Sequence, residues 1–245
     1  MNNQKPARNS DSLKLSVHSI FNTIQGEGPF FGHPAIFVRL AGCNLQCPMC
    51  DTDYSSQSTE MSEEDILDKI QLDPLPLIVI TGGEPLRQNI APLIKLLIEK
   101  GFSVQIETNG TKELPTSLLG YIDKTRSCFP KLGVLYVVVS PKSLRLHYSI
   151  EKWAFAYKYI LNHNYIDPDD GLPTNVLGLS TRPARTTNLA IIYVIPEETF
   201  HLDSANQDQI RDGFECAENI KACIKSSMKF GYIMQVQLHK IIGVL

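Results

Sequence analysis

Three cysteines stand close together in this 245-residue chain, at Cys43, Cys47 and Cys50. The chain holds only six cysteines, so chance is a weak explanation for a C-x3-C-x2-C spacing. A structural zinc site normally takes four protein ligands, and no second C-x2-C or His pair follows to complete one. Thiolates also hold iron-sulfur clusters, and three of them on a 4Fe-4S cluster leave one iron open. The spacing therefore predicts an iron-sulfur site with an open iron.

A glycine-rich turn follows about one βα unit later. Residues 81 to 85 read Thr-Gly-Gly-Glu-Pro and come directly after the apolar run Leu77–Thr81. Glycines let a ligand or another backbone approach the main chain closely. Alone, this sequence would be an ordinary strand-to-helix turn, but behind the cysteine loop it is a candidate for ligand binding.

Seven short apolar runs, rich in β-branched residues, have the length of buried strands. They are Ala35–Leu40, Leu77–Thr81, Ser103–Thr108, Val134–Val139, Phe155–Ile160, Leu189–Ile195 and Tyr232–Leu238. Helical patterns lie at Ser62–Gln71 with Ser62 as N-cap, at Ile90–Lys100 before Gly101, and at Asn206–Lys229. Alternating strands and helices predict an α/β fold with a parallel sheet, and we favour a partial, incompletely closed TIM-like barrel over an open doubly wound sheet.

The polar motifs follow consecutive predicted strands. They occupy residues 43–52, 82–85, 107–110 and 140–142. In both architectures ligands bind at the carboxyl ends of the strands, so these four motifs should meet on one face.

Composition excludes several classes of protein. The formal charge of −3 and the absence of a Lys or Arg run argue against a direct nucleic-acid ligand. No apolar stretch approaches the ~20 residues that span a bilayer, and the polar start of the chain lacks a signal peptide. We expect a cytoplasmic protein with no membrane partner, a flexible segment at 1–14 and a single domain at 15–245. A long loop is expected at 162–183, either a lid or an insertion.

The cysteine triplet and the Gly-Gly-Glu-Pro turn together resemble the radical S-adenosylmethionine superfamily. The resemblance implies a partial-barrel fold and a 4Fe-4S cluster held by Cys43, Cys47 and Cys50. It also implies S-adenosylmethionine as a cofactor that chelates the open iron and yields a 5'-deoxyadenosyl radical.

Within the superfamily, the chain resembles the 7-carboxy-7-deazaguanine synthases of queuosine and deazapurine biosynthesis. The likeness runs through residues 21–28, 34–43, 50–52, 80–85, 105–110, 139–142 and 237–240. It implies a lyase that converts 6-carboxy-5,6,7,8-tetrahydropterin into 7-carboxy-7-deazaguanine with loss of ammonia. It further implies Mg²⁺, a reductant such as flavodoxin or ferredoxin, and a homodimer.

The resemblance also implies site residues. The cofactor contacts would be Met49, Cys50, Asp51, Gly83, Glu84, Ser140, Pro141 and Lys142. The substrate contacts would be Ile24, Gln25, Gly26, Glu27, Arg39, Thr81 and the terminal carboxylate of Leu245. Thr52 would bind Mg²⁺, and the guanidinium of Arg39 would pair with the substrate carboxylate.

Two positions depart from the family pattern. Met49 stands where an aromatic residue is common, and Ile195 stands where a Gln would precede Pro196.

A glycyl-radical activating enzyme and a non-catalytic iron-sulfur module are the alternative functions. Cys128, Cys216 and Cys223 form no ligand pattern, so a second cluster is not expected.

Overall fold

The chain folds around one nine-stranded sheet whose carboxyl edge carries the polar motifs. The computed structural model describes residues 3–7, 9–10, 12–71, 76–123, 131–186, 188–198, 200–202, 209–211 and 213–244. The strands are β1 (Leu15–Ile24), β2 (Pro34–Leu40), β3 (Thr59–Met61), β4 (Leu77–Gly82), β5 (Ser103–Thr108), β6 (Leu135–Val139), β7 (Ala156–Leu161), β8 (Ile191–Pro196), β9 (Phe200–Leu202), β10 (Gln209–Arg211) and β11 (Ile233–Met234). The helices are α1 (Glu63–Gln71), α2 (Ala91–Glu99), α3 (Tyr148–Trp153), α4 (Gly213–Phe230) and α5 (Leu238–Ile242).

The sheet is parallel except at one edge. Its strand order is β11-β8-β7-β6-β5-β4-β2-β1-β3. Neighbours from β2 to β11 pair in parallel, whereas β1 runs antiparallel to both β2 and β3. Strands β9 and β10 form a separate antiparallel pair. The parallel strands end at one edge of the sheet, where the connecting loops converge.

The two faces of the sheet bury different side chains because successive residues of a strand point in opposite directions. In β4, Ile78 and Ile80 join the larger core beneath the helices, whereas Leu77 and Val79 join a smaller cluster with Phe30. Thr81 points to the same face of β4 as Leu77 and Val79, and it lines a cleft above this cluster. The smaller cluster is therefore an apolar floor, and polar side chains stand on it at the carboxyl ends of the strands.

Most predicted elements are confirmed. Each of the seven apolar runs contains a strand, and the sheet that they form is mostly parallel. Helix α1 begins after Ser62, whose hydroxyl accepts from the Asp65 N–H at 3.1 Å while Asp65 accepts from the Ser62 N–H at 2.9 Å. This reciprocal pair is a helix-capping box. Helix α2 ends before Gly101, which has a φ of 90°.

Two predicted elements have different bounds in the structure, and the sequence did not predict β1 or the short elements β3, β9, β10, α3 and α5. Helix α4 begins at Gly213 and not at Asn206, because Gln209–Arg211 pairs as a strand with β9. Only Ile233 and Met234 of the predicted strand at 232–238 pair in the sheet. The Gln235 side chain then bonds to the Gly28 N–H at 2.6 Å and to the Gly28 carbonyl at 2.9 Å, which turns the chain away from the sheet. Strand β1 was missed because its apolar residues alternate with Ser, His and Asn.

Segments outside the sheet contact the carboxyl edge. Described residues of the N-terminal segment bond to the cysteine loop, where the Ala7 N–H donates to the Cys43 carbonyl at 2.6 Å. The 162–183 segment holds one short 3-10 turn and two isolated bridges. The domain division and the flexibility of residues 1–14 stay predictions. In the described part of the chain, no helix is both long and apolar enough to cross a membrane.

Candidate active site

A cleft of about 1140 Å³ opens at the carboxyl ends of the parallel strands. It brings together most of the residues that the sequence predicts for the site. Those lining it are Ile24, Gln25, Glu27, Arg39, Cys43, Cys47, Met49, Cys50, Asp51, Thr52, Thr81, Gly83, Ser140 and Lys142. A pocket for one small ligand typically has about 300–1,000 Å³, so this cleft has room for more than one bound group.

Three predicted residues lie behind the cleft wall. Gly26 packs so closely on His239 that a Cβ at this position would lie 2.0 Å from the imidazole Nδ1. Pro141 is buried. Glu84 is fully buried, and its carboxylate accepts from the Thr108 hydroxyl at 2.7 Å and from the Asn109 N–H at 2.8 Å. Leu245 lies outside the described residues.

Glu84 ties two strand ends together. Its third donor is the Leu86 N–H at 3.0 Å. Burial raises the pKa of Glu84, and the hydrogen bonds from Asn109 and Thr108 oppose that rise. The carboxylate therefore links the turn after β4 to the end of β5. Its role in cofactor binding stays a prediction.

The three cysteines are free thiols in one loop after β2. Burial raises the pKa of each, that of Cys43 to about 11, while Lys142 opposes the rise at Cys47 and Arg39 opposes it at Cys50. Thiols with raised pKa values stay protonated at neutral pH unless a cation binds them. Among the described residues, no three His, Cys, Asp or Glu side chains are close enough to share one ion. A cluster differs from a single ion because each thiolate binds a separate iron.

The cysteine loop is held by its neighbours. Gly83 approaches it so closely that a Cβ there would lie 2.2 Å from the Gly42 carbonyl oxygen. The Asn109 side chain donates to Asn44 Oδ1 at 3.0 Å, which links the loop to the end of β5. From the N-terminal segment, Gln4 donates to the Thr52 carbonyl at 2.9 Å. Its side-chain carbonyl also accepts from the Tyr54 N–H at 2.7 Å. The residues around Thr52 are thus fixed from outside the sheet.

A buried ion network crosses the floor of the cleft. Lys158, only 4% exposed, places Nζ 2.8 Å from Glu27 Oε2 and 3.0 Å from Glu107 Oε2. Gln25 donates to Glu107 Oε1 at 3.0 Å, and Gln237 donates to Glu27 Oε1 at 2.6 Å. Burial alone would raise the pKa of Glu27, but Lys158 outweighs it and holds that pKa at about 2. Glu27 is therefore an ionised hydrogen-bond acceptor at neutral pH.

Arg39 stands apart from this network. Its guanidinium carbon lies 5.3 Å from the centre of the Phe21 ring, and Phe21 stacks on Phe37 at 5.6 Å. Its buried Nε has no hydrogen-bond partner among the described residues. Burial lowers the pKa of Arg39, with Asp51 and Glu107 opposing the shift, yet an arginine stays charged in proteins. A charged fork with an unsatisfied buried N–H is suited to an incoming carboxylate.

The C-terminal helix closes one side of the cleft. Lys240 of α5 places Nζ 2.7 Å from Asp51 Oδ2 and 3.3 Å from Glu198 Oε2. Thr52 donates to Asp51 Oδ1 at 3.3 Å. Lys142 also lines the cleft, where it donates to the Ser140 carbonyl at 3.2 Å, and burial lowers its pKa.

Several cleft residues were not predicted from the sequence. They are Phe21, Glu107, Lys158, Gln237, His239 and Lys240. One signal was available for Lys158, a charged residue inside the apolar strand sequence AYKYIL. Glu107 and residues 237–240 fell inside matched motifs, but nothing in their spacing indicates their partners.

Known proteins resemble this chain in sequence and in fold. Residues 38–128 match the Radical SAM superfamily. The chain is 36% identical to a 7-carboxy-7-deazaguanine synthase of Rhodospirillum rubrum, and the match covers 98% of each chain. It is 32% identical to that of Rickettsia prowazekii over 99% of this chain and 94% of the relative. The chain belongs to the 7-carboxy-7-deazaguanine synthase family. The crystal structure of QueE from Escherichia coli matches with a TM-score of 0.64 at 25% identity, covering 92% of this chain and 95% of that one.

Membership of the 7-carboxy-7-deazaguanine synthase family makes the chain a radical S-adenosylmethionine enzyme, for which a 4Fe-4S cluster and S-adenosylmethionine are implied. The residues fit both groups. Three free thiols of one loop share the cleft, and Gly83 presents backbone with no side chain between it and the cysteine loop.

Proposed function

We propose that the chain converts 6-carboxy-5,6,7,8-tetrahydropterin into 7-carboxy-7-deazaguanine, in queuosine or 7-deazapurine biosynthesis. Substrate and product differ by one ammonia, so the conversion needs no net oxidant. The main support is that one cleft holds a cysteine triplet, an ionised acceptor at Glu27 and, at Arg39, a cation whose Nε has no hydrogen-bond partner in the described part of the chain. The carboxylate of the pterin would meet the cation, and its N–H groups would meet the acceptor.

Arg39 would bind the substrate carboxylate. Its fork can donate two parallel hydrogen bonds to a carboxylate. The guanidinium is planar by resonance, and the Phe21 ring beneath it limits its movement without using its donors. The unsatisfied Nε then gains a partner when the substrate arrives.

Glu27 and Gln25 would recognise the pterin ring, with Ile24, Gly26 and Thr81 beside them. An ionised carboxylate only accepts hydrogen bonds, and each of its oxygens has two lone pairs. Lys158 and Gln237 use one position on each Glu27 oxygen, so acceptor capacity is left for pterin N–H groups. Lys158 also prevents Glu27 from taking a proton. We also propose that the terminal carboxylate of Leu245 binds the pterin.

Thr52 would bind Mg²⁺ together with the substrate carboxylate. Mg²⁺ prefers oxygen ligands, and it commonly uses few protein groups and keeps several waters. Thr52 lines the cleft between Asp51 and Asp53, and Gln4 holds its carbonyl. Lys240 pairs with Asp51 in the absence of the ion.

Cys43, Cys47 and Cys50 would hold the cluster. When bound, the cluster and S-adenosylmethionine supply a 5'-deoxyadenosyl radical for hydrogen abstraction at C6 of the substrate. Met49, Asp51, Gly83 and Glu84 would place the cofactor on one side. The Ser140–Lys142 turn would place it on the other. These residues would bind and orient the cofactor and keep bulk water from the reacting carbon.

Family membership argues against a glycyl-radical activating enzyme, and so does the site. Such enzymes act on a protein and commonly carry further cysteines for extra clusters. Here Cys216 and Cys223 are buried on α4, and burial raises the pKa of Cys223 to about 12. A non-catalytic cluster module would not explain why Arg39 and the ion network of Lys158 line the same cleft as the cysteines.

Anaerobic reconstitution tests the proposal. The loaded protein is incubated with S-adenosylmethionine, reductant, Mg²⁺ and the carboxytetrahydropterin, and products are identified by mass. We expect the deazaguanine product with the cofactor regenerated. Formation of 5'-deoxyadenosine without the deazaguanine product would refute the proposed substrate. Absence of both from a protein with full cluster absorbance would overturn catalysis and leave the non-catalytic module.

Two parts of the proposal rest on the resemblance alone. These are a flavodoxin or ferredoxin as electron donor and a homodimeric assembly. Reduction of the cluster by flavodoxin, followed by electron paramagnetic resonance, tests the first. Sedimentation velocity tests the second.

A further inference from the structure

The 162–183 segment reaches the cleft through Leu177. The segment leaves the sheet after β7 and returns to it at β8. Leu177 is half-buried and lines the cleft together with Pro48 and Met49 of the cysteine loop. A surface insertion would not need to place an apolar side chain beside the cluster loop.

Leu177 is pinned between two parts of the site. Its carbonyl accepts from the Met49 N–H at 3.1 Å. Burial raises the pKa of Glu197, which follows β8, and the Leu177 N–H is among the groups that oppose this rise. The next residue, Gly178, has a φ of 76° and lies so near Pro48 that a Cβ would be 3.0 Å from the proline Cβ. The segment therefore packs directly on the cysteine loop.

The backbone at Leu177 is strained. Its φ is 47°, and it is the only non-glycine residue with positive φ in the described part of the chain. Glycine adopts this conformation freely, whereas a leucine does so at a cost. Strain of this kind persists where surrounding contacts enforce it, and it concentrates at functional sites. An apolar side chain is thus held where glycine would be the easier residue.

The base of the segment is firmly attached to the fold. The Asp170 carboxylate accepts from Arg185 Nε at 2.6 Å, and the Asp170 carbonyl accepts from the Tyr232 hydroxyl at 2.8 Å. The Ser226 hydroxyl of α4 donates to the Gly171 carbonyl at 2.6 Å. These contacts fix the base of the segment, so the segment forms a wall of the cleft and not a hinged lid.

We propose that Leu177 forms an apolar wall of the pocket for the adenosyl group of S-adenosylmethionine, working with Met49. The inference rests on the proposed placement of this cofactor. Met49 is flexible and 39% exposed, so it alone defines an adenine slot poorly. Leu177 bonds to Met49, whereas the proposed pterin residues Gln25 and Glu27 bond to Glu107 and Lys158. This wall therefore serves the cofactor and not the pterin.

The test uses Leu177→Gly and Leu177→Ala, with Leu179→Ala as the matched control. Leu179 lies in the same segment and does not line the cleft. Binding of S-adenosylhomocysteine to the reconstituted protein is measured by calorimetry, and the midpoint of thermal unfolding is recorded for each variant. Both Leu177 variants should bind about tenfold more weakly, since a lost apolar contact of this size is worth about that factor. Leu177→Gly should unfold at a higher temperature than Leu177→Ala, because glycine relieves the backbone strain that alanine keeps at positive φ.

Three results would overturn the inference while leaving the proposed cofactor placement intact. Wild-type affinity in both Leu177 variants would show that the side chain contacts no part of the cofactor. Equal weakening in Leu179→Ala would show that the integrity of the segment matters and Leu177 itself does not. A tenfold loss of affinity for the carboxytetrahydropterin in Leu177→Ala would show that this wall contacts the substrate and not the cofactor. Failure of the wild type to bind S-adenosylhomocysteine would instead refute the proposed cofactor placement, and this inference with it.

Discussion

Replacing Lys158 by Met would remove the cation beneath the cleft and keep most of its volume. The ammonium lies 2.8 Å from Glu27 and 3.0 Å from Glu107, and the side chain is 4% exposed. In Lys158→Met these two carboxylates, whose side chains are 17% and 19% exposed, would lose their common partner. Gln25 and Gln237 would still donate to them, but neither amide carries charge.

The loss of stability can be worked out in two ways. Holding the pKa of Glu27 at about 2 in place of 4.5 corresponds to roughly 3 kcal/mol of favourable interaction with the ionised form. Removing one partner of a buried ion pair typically costs about 3–5 kcal/mol. We therefore expect Lys158→Met to lower the free energy of unfolding at pH 7 by about 3 kcal/mol.

The variant should also reverse the pH dependence of the stability that this site contributes. In the wild type the depressed pKa of Glu27 gives stability that is present above pH 4.5 and is lost as the pH falls towards 2. Without Lys158, burial is the largest remaining influence on Glu27, outweighs the hydrogen bond from Gln237 and raises the pKa of Glu27 above its ordinary value. The folded state then binds more protons than the unfolded state, so stability at this site increases as the pH falls from 7 to 5.

Urea unfolding of the apoprotein at pH 7, 6 and 5 measures both effects. Lys221→Met is the control, because Lys221 is 69% exposed and pairs with Glu218 at 2.6 Å, where less than about 1 kcal/mol is expected. A loss below 1 kcal/mol in Lys158→Met would refute the reasoning, and so would a pH slope equal to that of the wild type. Adding Glu27→Gln to Lys158→Met should recover part of the loss.

Three further perturbations address the ligand sites. Arg39→Lys should raise KM for the carboxytetrahydropterin about tenfold and leave cluster absorbance unchanged, because lysine lacks the planar fork; loss of the cluster would contradict the assigned role. Thr52→Val should raise the Mg²⁺ concentration for half-maximal rate about tenfold, with Thr52→Ser near the wild type, and equal Mg²⁺ dependence in both would remove Thr52 from the metal site. Gln4→Leu should lower the free energy of unfolding by about 1–2 kcal/mol, because the Thr52 carbonyl and the Tyr54 N–H each lose a bond; an unchanged value would show that this N-terminal contact contributes nothing.

The sequence predicted the sheet well where burial is complete on both faces. Strands such as β4 and β6 are continuous apolar runs, and α1 has its Ser62 cap beside the helix that it starts. Strand β1 escaped prediction because polar residues alternate along it. The strand predicted at 232–238 was too long because the bond between Gln235 and Gly28 joins residues 207 positions apart, which no local pattern reveals.

The cysteine triplet and the glycine turn were visible in the sequence because each motif is contiguous. Their order along successive strands was enough to predict one shared edge, since parallel strands end together. The tertiary structure alone decided which charges meet there. Lys158 and Glu107 lie in β7 and β5, where side chains alternate towards one face of the sheet, and the loop after β1 brings Glu27 to the same ammonium. Contact between Leu177 and Met49 likewise required the folded chain, because a loop conformation is set by what it packs against and not by its own composition.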